Sequence, residues 1–206
     1  MKILEATTKN IRDASRIVKK GGLVIFPTET VYGLGCDPFN IDSVKRIIDT
    51  KGNRTKPLPI LISSINAAKK VAYISPNGKK LAKKFWPGPL TIIFPKKDNI
   101  SDIVTFHKNS VGLRIPNNTV ALKLIQLSGG LLIGSSANKT NEKPPKKIGK
   151  ISEEIKENVD IILDGGPTSQ GIPSTVVDLT TEKPKIIREG PISLKQLLDV
   201  LAFSSK

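Results

Sequence analysis

Apolar residues recur along much of the chain at the three- and four-residue spacing of one helix face. Ile11 and Val18 share such a face, which predicts an amphipathic helix over residues 7–20. Asn40 is placed to cap a second helix that runs through Asp49. The same spacing predicts further helices at residues 66–72, 76–85, 119–127, 152–158 and 193–201.

Short apolar runs between glycines, prolines and polar clusters predict strands. The clearest run is 23–26, which is followed by Pro27. Further strands are predicted at residues 30–35, 59–63, 90–94, 111–115, 131–135, 160–164, 175–179 and 185–188. Because helices and strands alternate, the sequence predicts a single α/β domain over residues 1–206, with helices flanking a twisted open sheet. Two pairs of strands follow each other closely, within 23–35 and 175–188. These pairs predict that the sheet is mixed, with antiparallel as well as parallel neighbours.

Composition narrows the class of protein. The chain has 206 residues, one cysteine and one histidine. Its apolar runs are a few residues long, whereas a membrane helix needs about 20 apolar residues, so we expect no membrane span. The N-terminal segment turns polar too early for a signal peptide, and one cysteine cannot close an intramolecular disulfide, so we expect a cytoplasmic protein. The same scarcity argues against a His/Cys zinc site and a Ser-His-Asp triad.

The net charge of the chain is +15, from 33 basic and 18 acidic residues. Such a field attracts anions, including nucleotides, pyrophosphate and RNA. A lysine-rich solvated surface without a specific partner is the alternative, because only six of the basic residues are arginine. Three of these arginines, Arg54, Arg114 and Arg188, stand beside predicted turns or at strand ends. A guanidinium binds carboxylates and phosphates through two bonds, so these three are the first candidates for anion ligands.

Small polar, glycine-containing or basic segments lie at the ends of several predicted strands. Ligands of open α/β sheets bind at strand ends, and hydroxyl, amide and guanidinium groups suit a polar anionic ligand. Each segment alone is also explained by an ordinary turn or helix cap. The segments are 27–30, 51–56, 135–138, 173–175 and 188–190.

Together these segments resemble the YrdC/Sua5 family of threonylcarbamoyl-AMP synthases. The most specific match is Pro-Thr-Glu-Thr-Val-Tyr-Gly-Leu-Gly at residues 27–35. The matching stretches follow the family's order and cover nearly the whole chain. They are residues 22–35, 51–54, 85–91, 112–116, 135–138, 164–166, 173–178 and 188–190. The resemblance implies a YrdC/RibB-like fold.

The resemblance also implies a reaction. Enzymes of this kind are nucleotidyltransferases that combine L-threonine, bicarbonate and ATP, release pyrophosphate and form threonylcarbamoyl-AMP. Magnesium is carried mainly by the phosphates. This is the first step of tRNA threonylcarbamoyladenosine modification, and a downstream tRNA threonylcarbamoyltransferase complex uses the product. Because such a reaction depends on positioning and charge, it needs no covalent nucleophile.

The resemblance carries roles onto individual residues of this chain. The residues expected to bind threonine are Thr30, Arg114, Ser136 and Ser174. The residues expected to form the catalytic group around the phosphates are Lys51, Arg54, Ser136 and Asn138. The residues expected to contact the nucleotide are Arg54, Lys56, Ser110, Asn138 and Arg188.

The chain departs from the family pattern in three places. The family usually has Lys-x-Arg, whereas two residues separate Lys51 from Arg54 here, so the contacts of Lys51, Arg54 and Lys56 with individual phosphates stay open. Leu61 stands where many members have a histidine. Segment 139–149 is a lysine- and proline-rich loop in place of the family's sequence, and a loop of this length is a candidate lid. At this length the chain resembles the short, single-domain members.

Two other function classes are compatible with the sequence. One is a module that binds tRNA or double-stranded RNA, which the charge favours, although only 4% of residues are aromatic and could stack on bases. The other is a carbamoyl-transfer domain of the kind found in hydrogenase maturation proteins, which carry additional zinc-finger and acylphosphatase domains.

Overall fold

The predicted alternation of helices and strands is present in the structure, a computed structural model that describes residues 2–181 and 183–202. The helices are α1 (Thr8–Lys19), α2 (Ile41–Lys51), α3 (Ile65–Val71), α4 (Pro76–Phe85), α5 (Asp102–Thr105), α6 (Thr119–Leu127), α7 (Glu153–Glu157) and α8 (Leu194–Ala202). The strands are β1 (Lys2–Glu5), β2 (Val24–Phe26), β3 (Gly33–Gly35), β4 (Ile60–Ile62), β5 (Leu90–Pro95), β6 (Ser110–Arg114), β7 (Leu131–Ile133), β8 (Ser135–Ser136), β9 (Ile161–Asp164), β10 (Thr175–Asp178) and β11 (Lys185–Arg188).

The strands form two mixed sheets flanked by helices. The first sheet has the order β1-β9-β2-β3-β8, and the second has the order β11-β10-β5-β6-β4-β7. The α/β class and the mixed pairing are confirmed, but the strands are divided between two sheets where one was expected. The two predicted strand pairs are the antiparallel pairs β2–β3 and β10–β11.

The sequence analysis did not predict β1 and α5, because each is too short to show a hydrophobic period. Strand β1 exposes most of its side chains and is defined by parallel pairing with β9 at the far end of the chain. Helix α5 is a single turn. The predicted strand 131–135 is interrupted at Gly134, where a Cβ atom would collide with the side chain of Leu61. Lys51, expected in a loop, is the last residue of α2.

Two buried apolar clusters hold the helices on the sheets. Ile11 and Val18 of α1 pack in one cluster with Phe26 of β2 and Leu124 of α6, as the helical period predicts. The larger cluster joins the two sheets and includes Tyr32, whose side chain is fully buried. In the described part of the chain, no helix combines the length and the apolar character that a membrane span requires.

The strand register brings the ends of distant segments to one edge of the second sheet. Strand β6 ends at Arg114 beside the start of β5, and β10 starts at Thr175 opposite Leu90 of β5. Strand β11 runs back along β10 and ends at Arg188 opposite Val176. In the first sheet, Ser136 lies opposite Gly33, next to the turn that leaves β2. The polar segments singled out in the sequence therefore meet at neighbouring strand ends.

Helix caps give a direct test of this fold, because the chain offers a matched pair of serines. Ser75 caps α4 by accepting a hydrogen bond from the backbone N–H of Gly78 at 3.1 Å, whereas Ser152 precedes α7 without a side-chain cap bond. We expect Ser75→Ala to lower the free energy of unfolding by about 1 kcal/mol. Chemical denaturation measures the change.

The control is Ser152→Ala, which removes the same atom and is expected to change the free energy of unfolding by only a few tenths of a kcal/mol, as is usual for surface substitutions without such contacts (~0.5 kcal/mol at most). Equal losses in the two variants would contradict the assignment of the cap.

Candidate active site

The turn that leaves β2 is built by the hydroxyl of Thr28. Its Oγ1 accepts hydrogen bonds from the backbone N–H groups of Thr30 and Val31, both at 3.2 Å, and donates to the carbonyl of Val31 at 2.7 Å. A threonine that bonds its own backbone in this way stabilises a turn instead of a strand. This is why the predicted strand 30–35 begins only at Gly33. The turn presents the hydroxyl of Thr30 to the edge of the second sheet.

Arg114 joins this turn to the end of β6. Its guanidinium donates from Nη2 to Glu29 Oε2 at 2.7 Å, from Nη1 to Thr30 Oγ1 at 3.1 Å and from Nε to the carbonyl of Gly88 at 3.1 Å. The side chains of Arg114 and Glu29 are 7% and 5% exposed. Burial lowers the pKa of Arg114, and the charge of Glu29 opposes that shift. Arginine has five N–H groups, so two of those of Arg114 make no hydrogen bond with the described residues.

Ser174 and Arg188 form the adjacent part of the edge. Ser174 Oγ lies 2.8 Å from Thr91 Oγ1 and accepts from Arg188 Nη2 at 3.0 Å. Arg188 also donates from Nε and Nη2 to the Ser174 carbonyl. Gly190 allows this close approach, because a Cβ atom there would lie 2.6 Å from the carbonyl oxygen of Pro173.

Lys51 holds the segment that follows β8. Its Nζ donates to the carbonyls of Ser136 and Asn138, both at 2.6 Å, and the residue is 2% exposed. Burial, with a smaller contribution from the charge of Arg54, lowers the pKa of Lys51 to about 7, and Glu142 opposes the shift. Asn138 directs its amide nitrogen to the carbonyls of Lys139 and Glu142, which leaves its buried Oδ1 without a partner among the described residues.

Arg54 lies between Lys51 and Arg188. It donates to Ser135 Oγ at 3.2 Å and to the carbonyl of Pro57 at 2.6 Å. Burial first, and then the charge of Arg188, lowers the pKa of Arg54 to about 10. Its Nε is buried and has no partner in the described part of the chain. The guanidinium is therefore held in place by neutral oxygens and not by a carboxylate.

Four cations thus line the site: Lys51, Arg54, Arg188 and Arg114. Burial is the main cause of the lowered pKa of the first three, and the charge of a second cation adds to it: Arg54 for Lys51, Arg188 for Arg54, and Arg114 for Arg188. Within residues 2–181 and 183–202, Glu29 is the only buried carboxylate, and it pairs with Arg114. The other three cations lack a buried counter-charge. We refer to these four side chains as the cation row; an anion with several charges fits it electrostatically.

Two loops cover the turn after β2. Residues 139–149 contact it through a hydrogen bond from the Tyr32 N–H to the carbonyl of Pro145, and residues 165–173 contact it through one from the Gln170 N–H to the carbonyl of Glu29. The loops also meet each other, since the N–H of Thr168 donates to the carbonyl of Lys146. The expectation that loop 139–149 closes over a nucleotide stays a prediction.

The structure brings together most of the side chains expected to form the site. Thr30 accepts a hydrogen bond from Arg114, Ser174 accepts one from Arg188, and Lys51 donates to the backbone carbonyls of Ser136 and Asn138. Lys56 is exposed, and no hydrogen bond or ion pair among the described residues links its side chain to the cation row. Ser110 lies at the opposite end of β6 from Arg114. The roles of Lys56 and Ser110 remain predictions.

The sequence analysis singled out the segments that contain Thr28, Glu29 and Ser135 but gave these residues no individual role, and it gave none to Thr91. Glu29 carried a usable signal, because it is an acidic residue in the short turn that follows a fully apolar strand. Leu61, where the family resemblance leads one to expect a histidine, is 3% exposed and packs in the apolar cluster around Phe26. Among the described residues, no group of three or more His, Cys, Asp or Glu side chains is placed to hold a metal ion.

Comparison with known proteins identifies relatives over most of the chain. A model of the Sua5/YciO/YrdC family, described as "Telomere recombination", matches residues 16–190. A threonylcarbamoyl-AMP synthase of Pyrococcus abyssi is 38% identical over 193 residues, which are 93% of this chain and 57% of that protein. A threonylcarbamoyl-AMP synthase of Coxiella burnetii is 36% identical and aligns with 81% of this chain and 91% of its own length.

A solved structure has the same fold. Sua5 of Pyrococcus abyssi in complex with L-threonine superposes with a TM-score of 0.93 at 36% identity, over 98% of this chain and 61% of that chain. This chain therefore spans somewhat more than half of its Pyrococcus relative.

The lowered pKa of Lys51 predicts a specific pH dependence of stability. The native pKa, about 7, lies below the ordinary value of 10.5 that applies when the chain is unfolded. Between these values the unfolded chain binds one more proton than the native protein, so stability rises with pH. Denaturation of wild type and Lys51→Met from pH 5 to 10 tests this.

Relative to Lys51→Met, we expect wild type to gain up to about 1.4 kcal/mol per pH unit above pH 7 and nothing below it. The variant also loses the two hydrogen bonds that Nζ donates, so the test compares the slopes of the two curves and not their absolute values. Parallel curves across the whole range would show that the amine of Lys51 titrates normally.

Proposed function

The chain belongs to the Sua5/YciO/YrdC family, and on that premise we propose that it is an L-threonylcarbamoyladenylate synthase. In the proposed reaction L-threonine, bicarbonate and ATP give threonylcarbamoyl-AMP and pyrophosphate, which makes the enzyme a nucleotidyltransferase. The observation that supports this most strongly is the cation row, which has one buried carboxylate for four cations and lies beside the hydroxyls of Thr30 and Ser174.

The threonine substrate fits the strand ends around Arg114. Thr30 and Ser174 offer hydroxyls, and the two unused N–H groups of Arg114 suit a carboxylate. Ser136 would face this ligand from the first sheet. The ammonium group of threonine loses a proton to solvent, and the resulting amine attacks bicarbonate, whose C–O bond breaks, to give the carbamate and water. Threonine and bicarbonate must be held side by side, which is a task of positioning more than of nucleophile activation.

The phosphates of ATP fit the other three members of the cation row, which are Lys51, Arg54 and Arg188. A carbamate oxygen attacks the α-phosphorus, and the bond from that phosphorus to the bridging oxygen breaks, so that pyrophosphate leaves. Lys51, Arg54 and Arg188 would stabilise the charge on the phosphates, and Asn138 would orient them. Magnesium, when bound, neutralises further phosphate charge; it would be held mainly by phosphate oxygens, which agrees with its preference for few protein ligands.

The product places the protein in tRNA modification. Threonylcarbamoyl-AMP carries an activated acyl group, so a downstream tRNA threonylcarbamoyltransferase complex would consume it. We propose that this takes place in the cytoplasm. The alternative function, binding of tRNA or double-stranded RNA by the basic surface, rests on the net charge of +15.

Substrate dependence is the first test of the proposed function. We expect the purified protein to release pyrophosphate from ATP only when L-threonine and bicarbonate are both present, because the carbamate formed from them is the attacking group. A coupled pyrophosphate assay with single omissions measures this. Equal release without threonine would leave only a nonspecific nucleotide hydrolase and would contradict the proposal.

A pair of arginine variants separates catalysis from RNA binding. Arg188→Ala removes a member of the cation row, and we expect it to lower the rate of product formation roughly a hundredfold or more, as loss of one transition-state donor does. Arg46→Ala is the control, since Arg46 pairs with Asp160 outside the site and is half-exposed. It should keep nearly full activity.

The affinity of both variants for tRNA is measured over a salt series. One cation among 33 contributes little to a diffuse basic surface, so both should bind tRNA almost as wild type does. Loss of tRNA affinity in Arg188→Ala alone, in step with activity, would show that RNA occupies the same site and would favour the RNA-binding alternative.

A further inference from the structure

Glu29 carries a carboxylate oxygen that the described part of the chain leaves unsatisfied. Its Oε2 pairs with Arg114 at 2.7 Å, whereas Oε1 is buried and accepts no hydrogen bond. Buried polar atoms are nearly always hydrogen-bonded in native proteins, and a buried charged group without full partners is costly. The free oxygen therefore calls for a donor that the chain itself does not provide.

The position of this oxygen is fixed from two sides. The side chain is held by the ion pair with Arg114, and the backbone carbonyl of Glu29 accepts from the N–H of Gln170 at 2.9 Å and from Ser169 Oγ at 3.2 Å. The guanidinium that binds Oε2 of Glu29 also binds the hydroxyl of Thr30, so the carboxyl group that carries Oε1 lies beside Thr30 and Arg114. The free oxygen is thus part of the edge proposed to hold the amino acid.

Charge decides which donor fits. An amino acid brings a carboxylate and an ammonium group, and the cation row attracts the first and repels the second. Within the described residues Glu29 is the only buried carboxylate that can balance the ammonium. The other unpartnered buried acceptor near the row, Asn138 Oδ1, is neutral and belongs to the segment held by Lys51.

We propose that Glu29 Oε1 accepts a hydrogen bond from the α-ammonium group of the amino-acid substrate. This deepens the proposed function and rests on it. Glu29 then has two tasks: Oε2 fixes Arg114, and Oε1 selects an amino acid over a hydroxy acid that lacks the amine. The family resemblance assigns the binding of threonine to Thr30, Arg114, Ser136 and Ser174. The proposal adds Glu29 to these residues as the acceptor for the amino group.

Two ligands that differ only in the amino group test the proposed contact with Glu29. Calorimetry in bicarbonate-free buffer compares L-threonine with 3-hydroxybutanoate of matching configuration at the hydroxyl carbon, which differs by loss of the amine. In Glu29→Gln the side chain has no charge and has only one oxygen to offer to Arg114 or the ligand. We expect the preference for threonine to fall roughly tenfold to a hundredfold, the value of one charge-assisted hydrogen bond. The matched control Glu153→Gln, at a side chain 76% exposed and paired with Lys156, should keep it.

The ratio of the two affinities distinguishes binding from a structural role. If Glu29 served only to hold Arg114, Glu29→Gln would weaken both ligands by the same factor, and this result would overturn the proposal. If thermal melting shows that Glu29→Gln is unfolded, Glu29→Asp takes its place. That variant keeps the charge opposite Arg114 but withdraws the oxygen, so a retained preference for threonine would also overturn the proposal.

Failure of the proposed function gives a different result. In that case wild type would bind neither ligand, and the inference about Glu29 would fall with the function. If wild type binds threonine and releases pyrophosphate but Glu29→Gln keeps the full preference for threonine, only the inference about Glu29 is overturned.

Discussion

Burial of positive charge without equal negative charge is the constraint around which this molecule is organised. Lys51 and Arg114 are almost fully buried, and Arg54 and Arg188 have pKa values lowered mainly by burial. A buried ion costs free energy unless it is paired and hydrogen-bonded. In the described part of the chain the one buried carboxylate, that of Glu29, pairs with Arg114, and the other three cations have no buried counter-charge. The protein therefore maintains an electrostatic deficit that an anionic ligand can fill. The unpaired charge lowers the stability of the fold at the same site where an anionic ligand would bind.

The fold tolerates this deficit by surrounding the cations with neutral oxygens. Lys51 donates to two backbone carbonyls and lies at the C-terminal end of α2, where the helix dipole favours a positive charge. Arg54 donates to the hydroxyl of Ser135 and to the carbonyl of Pro57 in its own loop, and Arg188 donates to the carbonyl and hydroxyl of Ser174. Apart from the Pro57 carbonyl, these oxygens come from segments at strand ends that the register of the two mixed sheets brings together. The sheet topology is therefore a precondition for the electrostatics of the site.

Sequence reasoning predicted the parts of this arrangement that depend on local chemistry. Helical period and turn residues gave the main helices and strands, and the scarcity of arginine singled out Arg54, Arg114 and Arg188. It gave no role to Glu29, because the value of this residue lies in a contact with a residue 85 positions away. It also placed Lys51 in a polar, basic loop, since no local pattern shows that its amine is buried and donates to two distant carbonyls. The division into two sheets likewise depends on long-range pairing, such as that of β1 with β9.

The central claim is that the cation row holds the phosphates of a nucleotide next to an amino acid. A crystal structure of the protein with L-threonine and a non-hydrolysable ATP analogue tests it most directly. The account predicts phosphate oxygens within hydrogen-bond distance of Lys51, Arg54 or Arg188, with threonine beside Thr30 and Arg114. A nucleotide bound elsewhere, with the cation row contacting only water, would contradict the account.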